Sequence, residues 1–250
     1  MNDDRAYIQV PPRRAQWSIT VVILIANVIV FGIQGLVPRV FPNFDFDRYF
    51  ALSLDGLRHG FFWQFLTYQF MHGGFLHIFL NSWAIYVFGR EIERIMGKLR
   101  MAELYFLSGI VGGALQIALA WFFPRFFAIL ISPGHYDEQL IGASAGAYAL
   151  IAAAAAIFPR QPLYMLLFMV VPVKMRTLSL LWVCIALSVA GIAAGFFHYE
   201  FMGHVGHAAH LGGIIMGYLL ARQWLQSFRV PPVVAEPPPK SPLKITAAQD

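Results

Sequence analysis

Two short stretches of this chain could carry nucleophilic chemistry. Gly142-Ala143-Ser144-Ala145-Gly146 sets a serine between glycines, and Gly206-His207-Ala208-Ala209-His210-Leu211-Gly212-Gly213 sets a histidine among small residues. A serine hydroxyl is a poor nucleophile until a neighbouring base accepts its proton. An imidazole, with an ordinary pKa of about 6.5, suits that transfer at neutral pH. A third pair, His77 and Asn81, stands four residues apart and so projects from one face of a helix. Neutral N–H donors of that kind can stabilise the oxyanion that forms during acyl transfer. Each motif is ambiguous alone. Glycine and serine also line helix contacts in membranes, and a lone histidine can be a helix-contact residue. G-x-S-x-G also fits the nucleophile elbow of a soluble hydrolase, but that elbow needs a preceding strand and a sheet, which the sequence does not offer.

The elements that must position these residues are membrane helices. The chain has 250 residues, 58% hydrophobic and 12% charged, against about 25% charged in a soluble domain. Its mean hydropathy is +0.61. The net charge of +5 does not point to nucleic acid, because the charges fall in loops and no basic run is interleaved with aromatics. The single cysteine, Cys184, sits in an apolar run and reads as a buried core thiol. The N-terminus opens with Asp3 and Asp4 and shows no small-residue cleavage site, so the first helix is expected to stay attached.

With about 20 apolar residues needed per crossing, six spans are expected, roughly at 17–37, 74–90, 101–122, 142–158, 177–197 and 205–225. The apolar segment 163–173, between Arg160 and Lys174, is too short to cross and is expected to be interfacial or re-entrant. Residues 1–16 form an N-terminal segment, 17–227 the membrane domain, and 228–250 a Pro-rich disordered tail. With both termini cytoplasmic, fourteen of the 18 Lys and Arg lie inside, leaving Arg39, Arg48, Arg58 and Arg125 outside. The second, fourth and sixth spans then all start at the outer face. His72, His77 and Asn81, then Ser144, then His204, His207 and His210 share a depth of a few Å to about 10 Å below it, at a rise of 1.5 Å per residue.

That shared depth argues for one site. Gly142 and Gly146 allow close helix approach, as do Gly213 and Gly217 on the sixth span, so Ser144 and His210 can meet. Tyr148 lies on the same helical face as Ser144 and could stack on the imidazole. No carboxylate lies within the fourth or sixth span, which favours a dyad over a triad. His72 precedes its helix and reads as structural, and Glu93 with Arg94 reads as loop-fixing. A rival reading gives His72, His77, His204, His207 and His210 to a metal or haem, but no HExxH motif and no intramembrane carboxylate completes the set. A second rival is a transporter or a non-catalytic binder of membrane helices. No inverted repeat supports a transporter.

Taken together, the motifs resemble the rhomboid family of intramembrane serine proteases. The resemblance rests on Met71-His72-Gly73-Gly74-Phe75-Leu76-His77-Ile78-Phe79-Leu80-Asn81, on Gly89 to Gly97 with Glu93, on Gly142-Ala143-Ser144 with Tyr148, and on Ala209-His210-Leu211-Gly212-Gly213. It covers roughly residues 17–227. It implies an all-α membrane protein with a six-helix bundle, and catalysis by Ser144 and His210. The oxyanion hole would comprise the Ser144 amide, His77 and Asn81, with Tyr148, His72, Gly142 and Gly213 in support. No cofactor or metal is implied. The implied partners are transmembrane protein substrates and the lipid bilayer, and the implied location is a bacterial inner membrane. The segment with Trp63 would lie sideways in the outer leaflet, and Phe197 to Met202 would cap the site. Two departures stand out. Ala145 follows the serine where many members have glycine, and Gln64 follows Trp63 where many have arginine, so anchoring of that loop is expected to differ.

Overall fold

The computed structural model describes residues 17–122, 139–167, 171–196 and 206–227. The segments 1–16 and 228–250, the cap at 197–202, and His204 lie outside them. Helix α1, Ile19–Val40, starts at the N-cap Ser18, whose hydroxyl accepts from the Val21 amide. Only Thr20, Ile23 and Asn27 of α1 are buried. They form one stripe at helical spacing, flanked by Ile19 and Leu24 against the core, while Val22, Ile25, Val28 and Ile29 are exposed.

The chain then makes three short helices, α2 (Phe46–Phe50), α3 (Leu54–Arg58) and α4 (Gln64–Thr67), and a 3₁₀ turn at Tyr68–Phe70. Gln64 is fully buried and holds this stretch together. It donates to the Arg48 carbonyl at 2.8 Å and accepts from the Ser53 amide at 3.2 Å. Trp63 donates to the Tyr49 carbonyl at 2.8 Å. An amide thus anchors the loop from within at the position that departs from the family pattern.

Helix α5 (Phe75–Ala84) runs through a π turn at Ile85–Gly89 into α6 (Arg90–Met96). Gly97, at φ +85°, reverses the chain into α7, Lys98–Phe122. At the α6 end, the Glu93 carboxylate accepts from the Ser18 and Thr20 hydroxyls and from the Ile19 and Thr20 amides, all within 3.0 Å. It caps the open amides of α1, as an acid at a helix start should. Arg94 instead pairs with Glu91 on the surface.

Helix α8 (Ser144–Ile157) is the centre of the bundle, with ten of its fourteen residues buried, mostly alanine. Helices α9 (Thr177–Phe196) and α10 (His207–Ser227) follow. The segment expected to be interfacial or re-entrant is an antiparallel hairpin, β1 Pro162–Leu167 against β2 Val171–Arg176, in register Leu163 to Met175. Its prolines fit because both strands of a two-stranded ribbon are edges, where a missing N–H is tolerated. The fold is therefore mostly, not wholly, helical. Helices stand at all six predicted positions. Three are long and apolar enough to cross a bilayer, namely Ile19–Val40, Lys98–Phe122 and Thr177–Ala194. Helix α8 is only about 21 Å long by its rise per residue, and α10 carries histidines, an arginine and glutamines among its apolar residues.

Candidate active site

Helices α8 and α10 approach backbone to backbone. A methyl group at Gly213 would overlap the Ala145 carbonyl, and one at Gly217 would come within 2.6 Å of the Ala149 Cα. On its other side, α10 meets α7, where a methyl at Gly212 would lie 2.8 Å from the Gly112 Cα. These contacts carry His210 to Ser144. The His210 Nε2 lies 2.7 Å from the Ser144 Oγ. His210 is buried, and Tyr148 stacks on its ring with centroids 4.2 Å apart and planes 13° apart. The geometry is that of a hydroxyl, a base in hydrogen-bond reach, and an aromatic face that fixes the base.

Backbone contacts set the depth of both residues. The segment entering α8 is stitched to the loop after α1 by paired Leu52–Leu140 hydrogen bonds of 2.8 and 3.0 Å. The Gly142 amide donates to the Tyr68 carbonyl at 2.9 Å. Ser144 is the first residue of α8, so its amide is among those without an intrahelical carbonyl. The Ala209 amide donates to the Gln116 Oε1 at 3.3 Å.

The opposite wall comes from α5. The Gly73 amide donates to the His77 Nδ1 at 3.3 Å. A nitrogen that accepts carries no proton in the neutral ring, so the His77 Nε2 bears the hydrogen. That nitrogen faces Gly142 and Ser144. A methyl at Gly142 would sit 2.9 Å from the His77 Nε2 and 3.5 Å from the Ser144 Oγ. Gly142 itself has φ +135°, which an L side chain rarely adopts. The missing side chain keeps open a space bordered by the Ser144 hydroxyl and the His77 Nε2, the kind of space a nucleophile and an N–H donor would need to share. Asn81 is buried, and among the described residues its Nδ2 has no hydrogen-bond partner. An unpaired buried donor costs about 1–3 kcal/mol, so a partner for the Asn81 N–H would be favourable.

His72 is buried beside this wall. Its Nδ1–H donates to the Phe70 carbonyl at 3.1 Å, and its ring meets His77 edge-on at 5.2 Å. His207 heads α10, edge-on to His210 at 6.1 Å. Among the described residues, no three His, Cys, Asp or Glu side chains converge as a metal-binding group. Gln34 and Gln116 carry no motif in the sequence, yet each receives a hydrogen bond from a backbone amide at or near the site. Their only signal was a polar residue in an apolar segment.

The family model described as "Rhomboid domain" matches residues 59–227. Among curated relatives, "Rhomboid protease GlpG" of Haemophilus influenzae is 28% identical over 157 residues, 63% of this chain and 67% of that protein. "Rhomboid-related protein 3" of Homo sapiens is 27% identical over 169 residues, 66% of this chain and 37% of that protein. "Inactive RHOMBOID-like protein 8" of Arabidopsis thaliana is 36% identical over 87 residues, 35% of this chain and 23% of that protein. The chain thus spans well under half the length of the last two.

Proposed function

The chain belongs to the rhomboid family, and from that premise we propose that it is an intramembrane serine endopeptidase whose nucleophile is Ser144 and whose base is His210. The observation that carries this reading is the 2.7 Å contact between the Ser144 Oγ and the His210 Nε2 on two helices packed backbone to backbone.

In the proposed reaction, a substrate helix unwinds near the outer face and presents an extended segment. Unwinding is required because helical hydrogen bonds shield the backbone, and helix-breaking residues in the substrate lower its cost. The Ser144 oxygen bonds to the scissile carbonyl carbon while His210 takes its proton. The carbonyl oxygen becomes an anion and receives N–H groups from the Ser144 amide, the His77 Nε2 and the Asn81 Nδ2. Collapse breaks the C–N bond, and His210 hands its proton to the leaving amine. A water then adds to the acyl ester, giving a proton to His210, which returns it to the Ser144 oxygen. Only groups of this chain and water take part.

The six helices are read as six spans with both termini cytoplasmic in a bacterial inner membrane, supported by the charge bias of the loops. The substrates are transmembrane segments of other proteins. A non-catalytic helix binder is the rival, since one relative is named inactive. Cleavage of a reporter transmembrane substrate by wild type, beside Ser144→Ala, decides between them. The protease reading expects cleavage that the variant lacks, and equal activity in both would end it.

A further inference from the structure

One polar contact crosses from α1 to the oxyanion wall. The His72 amide donates to the Gln34 Oε1 at 2.9 Å. The Gln34 Nε2 faces the Asp47 Oδ1 of α2 at 3.5 Å. Both neighbours fix the same amide orientation, because a backbone N–H can only donate and a carboxylate accepts. Gln34 lies seven residues beyond Asn27 and fourteen beyond Thr20, on the stripe that α1 turns to the bundle.

The residue after His72 is Gly73, whose amide holds the His77 Nδ1. One peptide unit therefore separates the bond that Gln34 accepts from the bond that sets the His77 tautomer. Two glycines, Gly73 and Gly74, follow His72, and glycine is the residue least able to hold its own conformation. Gln34 holds this turn from outside, beside the turn's own bonds from His72 to the Phe70 carbonyl and from the Ile78 amide to the Gly74 carbonyl.

We infer that Gln34 is a positioning residue for the oxyanion hole, acting through the His72–Gly73 turn to aim the His77 Nε2–H at the space beside Ser144. The inference rests on the protease reading above. Gln34 touches neither substrate nor reacting atoms. Asp47 acts one step further out, by fixing which end of the Gln34 amide faces His72.

The test measures kcat and KM on a reporter transmembrane substrate in proteoliposomes, with active sites counted by a fluorophosphonate probe. Gln34→Leu keeps the size and removes the acceptor. Its kcat per titrated site is expected to fall about tenfold, the scale of a misaimed rather than a missing donor, with KM within about twofold. Gln34→Glu alone sets two carboxylates face to face and is expected to lose activity too. Gln34→Glu combined with Asp47→Asn rebuilds the contact with donor and acceptor exchanged, and should return kcat to within about twofold of wild type. This pair carries the test if Gln34→Leu does not fold. Wild-type kcat per site in Gln34→Leu, or no recovery in the exchanged pair, overturns the inference. If wild type itself does not cleave, the protease reading falls first and this inference with it.

Discussion

The two halves of the site are held by different forces. The Ser144–His210 half is steric, because α8 and α10 touch through glycine and alanine, and a single methyl at Gly213 has nowhere to go. The His77–Asn81 half is polar. Its turn is held by the His72 amide donating to Gln34 and the Gly73 amide donating to His77, and Asn81 keeps a donor with no partner among the described residues. Close packing tolerates no displacement, whereas each hydrogen bond contributes only about 0.5–1.5 kcal/mol net. In the proposed mechanism, packing therefore holds the nucleophile and base together, and hydrogen bonds hold the oxyanion donors.

The largest effect should come from the steric half. Gly213→Val is expected to separate base from nucleophile, cutting kcat on the order of 10³-fold or more and lowering the melting temperature. Near-normal cleavage would show that the helix contact does not hold the pair. On the polar side, Asn81→Ala should cost roughly 10²–10³ in kcat, the loss of one oxyanion donor. Thermal unfolding should barely change, since the side chain removed has an unsatisfied donor. A large drop in melting temperature would make Asn81 a packing residue and erase the contrast between the halves.

The smallest effect lies far from both, at Glu93. Burial acts to raise its carboxyl, but hydrogen bonds from Ser18, Thr20 and Ile19 outweigh this and hold it below its usual range. A carboxyl depressed in the folded state stabilises the fold above its unfolded pKa, and that stability is lost as pH falls through the folded value. Glu93→Gln should therefore narrow the difference in melting temperature between neutral and acid pH, with kcat unchanged. An identical pH dependence in wild type and variant would remove Glu93 from the account.

What was legible in the sequence was whatever depends on residue type and helical spacing. Ser144 and Tyr148, His77 and Asn81, and Gly213 and Gly217 each stand four apart, so their shared faces follow from the helix alone. A helix stands at each of the six places read as a span, with ends displaced by a few residues, and three of these are long and apolar enough to cross a bilayer. Gln64 was legible as a departure that bears on loop anchoring, whereas Gln34 and Gln116 were not legible as site elements, because each acts on a backbone amide whose position exists only once a loop or a neighbouring helix is in place. The hairpin at Pro162–Arg176 was read over 163–173 as an interfacial or re-entrant piece too short to cross, with no strand foreseen, since a brief apolar run does not distinguish strand from helix. The π turn at Ile85–Gly89 adds no residue type that marks it.

The central claim is that one serine, activated by one histidine, is a nucleophile. It is tested most directly by reacting the membrane-embedded protein with a fluorophosphonate and locating the adduct by mass spectrometry. The account predicts a single adduct on Ser144, absent from His210→Ala. An unlabelled Ser144 in folded protein, or labelling that persists undiminished without His210, would contradict it.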